Sequence, residues 1–161
     1  MTDQARLQAK VLTVSDGVEA GTSDDEAGEA LVRRLSGAGF EVIECRAVAD
    51  DIAEASNALS YMAYGFNGLI VTNGGTGFEP GYITPEATRR ILDRMAPGLG
   101  DAIRSAHPMG RLSRAIAGTR GSALIINVSG TPKGAVEMLD AVIDVVPQAL
   151  ADMGSRSSAD G

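Results

Sequence analysis

Apolar and polar positions along this chain follow two periods, and the switches between them mark out its elements. Residues 10–15, KVLTVS, are a short apolar run that predicts a buried strand ending in a loop. Ser23-Asp24-Asp25-Glu26 then has the form of a capping box, with Ser23 as cap and Glu26 reaching back. Ala27, Leu31 and Leu35 recur behind it at helical spacing, and Gly37 and Gly39 close that helix. Residues 40–48, FEVIECRAV, are rich in β-formers and predict a second strand with Cys45 packed along it. Asp50 or Asp51 caps the next helix, whose apolar face is Ile52, Ala55, Leu59 and Met62. Residues 68–72 predict a third strand running into Gly74-Gly75-Thr76-Gly77. Thr84 is the expected N-cap of a helix reaching about Met95, with Pro85 at its first position. A further helix extends from Pro97-Gly98 to about Ala106, and residues 109–119 predict a loop with a short strand. Residues 122–128, SALIINV, predict another buried strand. Gly130-Thr131-Pro132 then turns into a last helix that buries Val136, Leu139, Val142 or Ile143, Val146 and Leu150 and kinks at Pro147.

Strands alternating with helices predict an α/β chain: a single-domain, three-layer fold over residues 8–152, its mostly parallel sheet flanked by helices. Residues 1–7 and 153–161 are expected to be flexible termini. In such sheets ligands bind outside the carboxyl ends of the strands. That edge gathers Ser15-Asp16, Asp50, Gly74 to Gly77 and Ser129-Gly130-Thr131. The middle stretch, IVTNGGTGFEPGYITPEAT, reads as strand, glycine turn and helix. Glycine lets backbone N–H groups approach an oxyanion, and a helix start favours negative charge.

Composition narrows the function classes. The 161 residues suffice for one sizeable core, and 20 Gly against 3 Phe, 3 Tyr and no Trp point to tight turns and aliphatic packing. A net charge of −7 without clustered Lys and Arg argues against nucleic acid, while backbone amides can still hold a small anion. One Cys and one His leave neither an internal disulfide nor a zinc cluster, and His107, beside Pro108, completes no Ser–His–acid set. No apolar run of about 18 residues is present to span a membrane. The opening TDQARLQAK lacks a signal peptide's apolar stretch, so a cytoplasmic location is expected.

Three segments, TVSDGVEAGTSDDEAG, NGGTGFEPGYITPEAT and LSRAIAGTRGSALIINVSGTP, together resemble the molybdenum-cofactor biosynthesis domain family. That family includes the bacterial MogA and MoaB proteins, molybdopterin adenylyltransferase domains and the gephyrin G domain. The resemblance implies adenylyl transfer from Mg-ATP to the terminal phosphate of molybdopterin, with no tightly bound prosthetic group, in a homotrimer. It implies that Asp50 handles Mg²⁺ or orients the reacting phosphate, and that Gly74, Gly75, Thr76 and Gly77 bind nucleotide. It further implies that Ser15, Asp16, Ser113, Arg114, Gly130, Thr131, Pro132 and Lys133 hold the pterin or its phosphate. The family's glycine and acidic positions also fall on Gly21, Asp25 and Gly28, and its Thr-Pro-Glu-Ala-Thr on residues 84–88.

Several of these residues have plainer readings. Asp50 and Thr131 can be helix caps, Asp25 a first-turn carboxylate, and Arg114 one half of a surface ion pair. The chain also departs from the family. Where relatives usually carry Arg-Asp before the Thr-Pro step, it has Gly81-Tyr82; Ala49 and Ser129 replace two prolines. A phenol with a pKa near 10 cannot serve as a carboxylate ligand at neutral pH. Glu79 is the candidate substitute as metal ligand. The alternative is a molybdopterin-binding relative with weak or no catalysis. A dinucleotide-binding domain is disfavoured, because GGTG is not G-x-G-x-x-G and Asp93 falls within a predicted helix.

Overall fold

Three apolar runs, β1 (Leu7–Val14), β3 (Leu69–Asn73) and β6 (Ala123–Val128), are buried along most of their length, as central strands of a parallel sheet are. The computed structural model describes residues 6–159. Three further strands, β2 (Phe40–Val48), β4 (Arg94–Met95) and β5 (Ala117–Arg120), complete a six-stranded sheet of order β2-β1-β3-β6-β5-β4. The pairs β1/β2, β1/β3 and β3/β6 are parallel; β5 runs antiparallel to β6 and to β4.

Alternate residues of the central strands feed two cores. Val11, Leu69, Val71, Leu124 and Ile126 face α2 (Glu26–Gly37), α5 (Pro97–Ser105), α6 (Pro132–Asp140) and α7 (Val146–Ala159) through Leu31, Leu35, Ile103, Leu139 and Leu150. Leu12, Ile70 and Ile125 face α3 (Ile52–Ala63) and α4 (Thr84–Ile91) through Leu59, Met62, Ala87 and Ile91. Helices therefore cover both faces of the sheet, as the alternation of periods predicts. A short helix, α1 (Asp16–Glu19), follows β1, and a 3-10 turn spans Pro108–Leu112.

The sequence expectations differ from this structure at several boundaries. Asp25, not Ser23, caps α2: its carboxylate accepts from the Gly28 N–H at 3.0 Å and from the Thr13 hydroxyl. The helix expected to reach Met95 stops at Ile91, because Arg94 and Met95 pair with β5 as an edge strand. The last helix is two helices, and Pro147 sits in the first turn of α7, where it breaks no hydrogen bond, instead of kinking a longer one. Leu7 already belongs to β1 and α7 continues to Ala159, so much of the expected flexible termini is regular structure; residues 1–5 and 160–161 lie outside the described ones. Cys45 is exposed, not packed, on the edge strand β2.

A buried amide ties α4 to β3 and to the chain entering β5. Asn127 Nδ2 donates to Thr72 Oγ1 at 2.8 Å and to Thr88 Oγ1 at 3.0 Å, and its Oδ1 accepts the Ile116 N–H at 3.2 Å. Asn127→Ala leaves these groups unpaired around a void and should cost about 2–4 kcal/mol of unfolding free energy. Urea denaturation checks this; a loss under about 1 kcal/mol would show that the network contributes little.

Candidate active site

The carboxyl ends of β1, β3 and β6 open into one cavity of about 730 Å³, within the range of small-molecule sites. Its wall includes Ser15, Asp50, Gly74 to Gly77, Ser113 and Gly130 to Lys133. Tyr82, Asn73, His107, Met109 and Leu112 join them. The separated motifs thus meet in space.

The two glycine turns nest on each other. Gly74 has φ +92°, and a Cβ there would stand 2.5 Å from the Val14 carbonyl oxygen of β1. A Cβ on Gly130 would stand 3.1 Å from the Cα of Gly74. The loop's carbonyls are turned into the protein. Gly75 O accepts from Thr84 N–H at 3.2 Å, Thr76 O from Arg114 N–H at 2.8 Å and Gly77 O from Arg114 Nε at 3.0 Å. In a trans peptide the N–H opposes the C=O of the same unit, so the amides of Thr76, Gly77 and Phe78 point the other way, available to an anion. Across the cavity, Thr131 caps α6 by accepting from Gly134 N–H, and the first turn of α6 carries no acidic residue to neutralise its positive end.

Asp50 is held by its backbone neighbours. Its Oδ2 accepts the Asp16 N–H at 3.2 Å, while Asp16 Oδ1 accepts the Asp50 N–H at 2.8 Å. Asp51, not Asp50, caps α3. Asp50 Oδ1 is buried and has no hydrogen-bond partner among the described residues. Burial pushes its pKa up, the neighbouring Asp16 carboxylate adds to this, and the Asp16 N–H opposes it.

Other expected site residues are engaged by the protein's own groups. Asp16 brackets Asp50 from the start of α1, outside the cavity wall. The Arg114 guanidinium binds Gly77 O, Tyr82 O and the Glu86 carboxylate, and so clamps the glycine loop from behind. Ser113 Oγ accepts the Ala115 N–H. Exposed Glu79 lies outside the wall, its carboxylate beside the Tyr82 hydroxyl. Burial, Glu79 and Asp50 all push the Tyr82 pKa up, so at neutral pH it is an uncharged phenol. Among the described residues no group of three or more His, Cys, Asp or Glu side chains is placed to hold a metal ion.

A family model described as "Probable molybdopterin binding domain" matches residues 10–155. The chain belongs to the molybdenum-cofactor biosynthesis family. A molybdopterin adenylyltransferase of Helicobacter pylori is 37% identical over 144 residues, covering 85% of this chain and 82% of that protein. The MoaB structure from Thermus thermophilus superposes with a TM-score of 0.85 at 42% identity, covering 91% of this chain and 96% of that one. The Mog structure from Mycobacterium ulcerans gives 0.84 at 38%, covering 92% and 99%.

Within this family member, the residues that sequence reasoning passed over are polar groups inside strands. Asn73 Nδ2 donates to Thr13 Oγ1 at 3.0 Å, and Thr13 in turn donates to Asp25, so the cavity wall and the α2 cap are one network. The signal was available: asparagine is rare in strands, yet Asn73 and Asn127 occur at or near the ends of two apolar ones. Among the described residues no helix is long and apolar enough to cross a membrane.

Proposed function

We propose that the chain transfers an adenylyl group from ATP to the terminal phosphate of molybdopterin. A phosphate oxygen of the pterin forms a bond to the α-phosphorus, and the bond from that phosphorus to the bridging oxygen breaks, releasing pyrophosphate. The observation carrying this reading is the convergence of two amide-rich glycine turns and one half-partnered carboxylate, Asp50, on a single cavity. The amides of the Gly74–Gly77 loop bind the nucleotide phosphates; the α6 start with Ser129, Thr131 and Lys133 takes the pterin phosphate. Catalysis comes from positioning and charge stabilisation, with no covalent intermediate on the protein.

Mg²⁺ suits this site, since it needs only one or two carboxylates when phosphates complete its shell, and Asp50 Oδ1 is a buried oxygen without a partner among the described residues. The ion would neutralise phosphate charge there. Arg114 and Asp16 act as supports for Gly77 and Asp50 and not as direct ligands. The same reading has the protein working in the cytoplasm as a homotrimer, for which light scattering should give three times the chain mass.

Incubation with molybdopterin, ATP and Mg²⁺ should release pyrophosphate and yield adenylylated pterin; tight pterin binding without turnover would exclude the transfer reading. Tyr82 favours a second reading, a pterin-binding protein with weak catalysis, because its neutral phenol lines the wall where relatives usually carry Asp. Tyr82→Asp separates the two. A large gain in turnover marks a weakened site, and unchanged turnover removes that reading.

A further inference from the structure

The cavity wall between β1 and the start of α2 carries a hydrogen-bond chain whose direction is fixed by its end members. The Asp25 carboxylate can only accept, so the Thr13 hydroxyl, 2.9 and 3.0 Å from its two oxygens, spends its one proton there. The Asn73 atom 3.0 Å from Thr13 Oγ1 must then be the amide nitrogen, which the Leu12 carbonyl oxygen at 3.5 Å requires as well. Thr13 and Asn73 are buried, Asp25 is half-buried, and all three line the cavity. A carboxylate has about four acceptor sites. The Gly28 N–H and the Thr13 proton occupy two of them, and among the described residues no Lys or Arg pairs with Asp25. Acceptor capacity for about two more donors is left on a negatively charged group of the cavity wall.

The surface beside Asp25 suits a flat ring. Ala27 and Met138, from the mutually packed helices α2 and α6, are buried apolar members of the same wall. The Ser129 N–H, 3.3 Å from Met138 Sδ, holds the thioether in place, and sulfur packs well on aromatic rings. At neutral pH a pterin presents its 2-amino group and N3–H side by side, two donors on one edge. A carboxylate takes such a pair as it takes the paired N–H groups of a guanidinium. Adenine sets an acceptor, N1, beside its amino group, and a carboxylate repels it.

We propose that Asp25 reads the 2-amino and N3–H edge of the pterin ring, held in position by Thr13. Asp25 is then a substrate ligand as well as the N-cap of α2. The ring lies against Ala27 and Met138, and its phosphate-bearing arm runs toward the α6 start. Naming the two donors as a pterin's rests on the reading of this cavity as the molybdopterin site.

Fluorescence titration of the full chain compares 6-hydroxymethylpterin phosphate with its lumazine counterpart, in which an oxygen replaces the 2-amino group. Wild type should bind the pterin about 10- to 100-fold more tightly, the weight of a hydrogen bond to a charged group. Asp25→Asn keeps an oxygen for the Gly28 N–H, and asparagine caps a helix as well as aspartate does, so the fold is retained. In this variant the pterin should lose its advantage over the lumazine. Thr13→Val should lower the selectivity, and Thr13→Ser should restore it. A cap that served the fold alone would weaken both rings by the same factor. Equal binding of the two rings by wild type, or unchanged selectivity in Asp25→Asn, overturns the assignment and leaves the pterin reading of the cavity standing. Binding of neither ring by wild type removes that reading and the assignment with it.

Discussion

Replacing Asp50 by Asn should lower the rate of adenylyl transfer by about 10²- to 10³-fold, the usual effect of removing one electrostatic stabiliser of a developing charge. The substitution is conservative in shape. Asn keeps an oxygen for the Asp16 N–H, and its own N–H still reaches Asp16 Oδ1, so the β1–α1 junction is preserved. What disappears is one negative charge on a buried oxygen. Burial and the Asp16 carboxylate both disfavour that charge in the folded chain, so its removal should not lower the melting temperature. Pyrophosphate release, measured beside thermal unfolding, separates the two effects. A rate within about threefold of wild type, far short of the loss expected for such a group, would take Asp50 out of the chemistry.

Much of the architecture was legible because it rests on periodicity. The apolar runs at 10–15, 68–72 and 122–128 read as buried strands, and the spacing of Leu31 with Leu35 and of Leu59 with Met62 reads as helix faces. The site was legible as a place, since glycine turns following strands converge at the carboxyl edge of a parallel sheet. What each residue does there was not legible. Arg114 is open in the sequence to two readings, a phosphate contact or half of a surface ion pair, and only the structure names the partner, Glu86, 28 residues away. Thr84 reads as a cap, yet Ile83 holds the N-cap position and Thr84 is the first helical residue, its hydroxyl bonded to no helix amide. Ser23 and Asp25 are equally good caps on paper, and only the hydroxyl of Thr13 on β1 shows why Asp25 is used. Local chemistry proposes several partners for a polar side chain, and long-range packing selects one.

Gly74→Ala should be among the most damaging single-methyl changes in the chain. Gly74 has φ +92°, which costs an L-residue about 1–2 kcal/mol, and the added Cβ would lie 2.5 Å from the carbonyl oxygen of Val14. That oxygen belongs to a central strand paired on both sides, so it cannot move aside as a flexible side chain would. Overpacking against fixed backbone adds about 1–3 kcal/mol, for a total near 3 kcal/mol and a fall in melting temperature of roughly 6–12 °C in a chain of this size. The damage should extend to function. Separating β1 from β3 at this point turns the amides of Thr76 and Gly77 away from the cavity and pushes Gly74 against Gly130, whose ideal Cβ already lies 3.1 Å from the Gly74 Cα. Nucleotide affinity should therefore drop with stability. Gly77→Ala is the matched control: its φ is not positive, and its Cβ would meet only the Tyr82 ring at an ordinary 3.5 Å. It should melt within about 0.5 kcal/mol of wild type. If the two variants unfold alike, close approach of the turn to β1 is not what shapes the loop, and the amide cradle must be held by the Arg114 clamp alone.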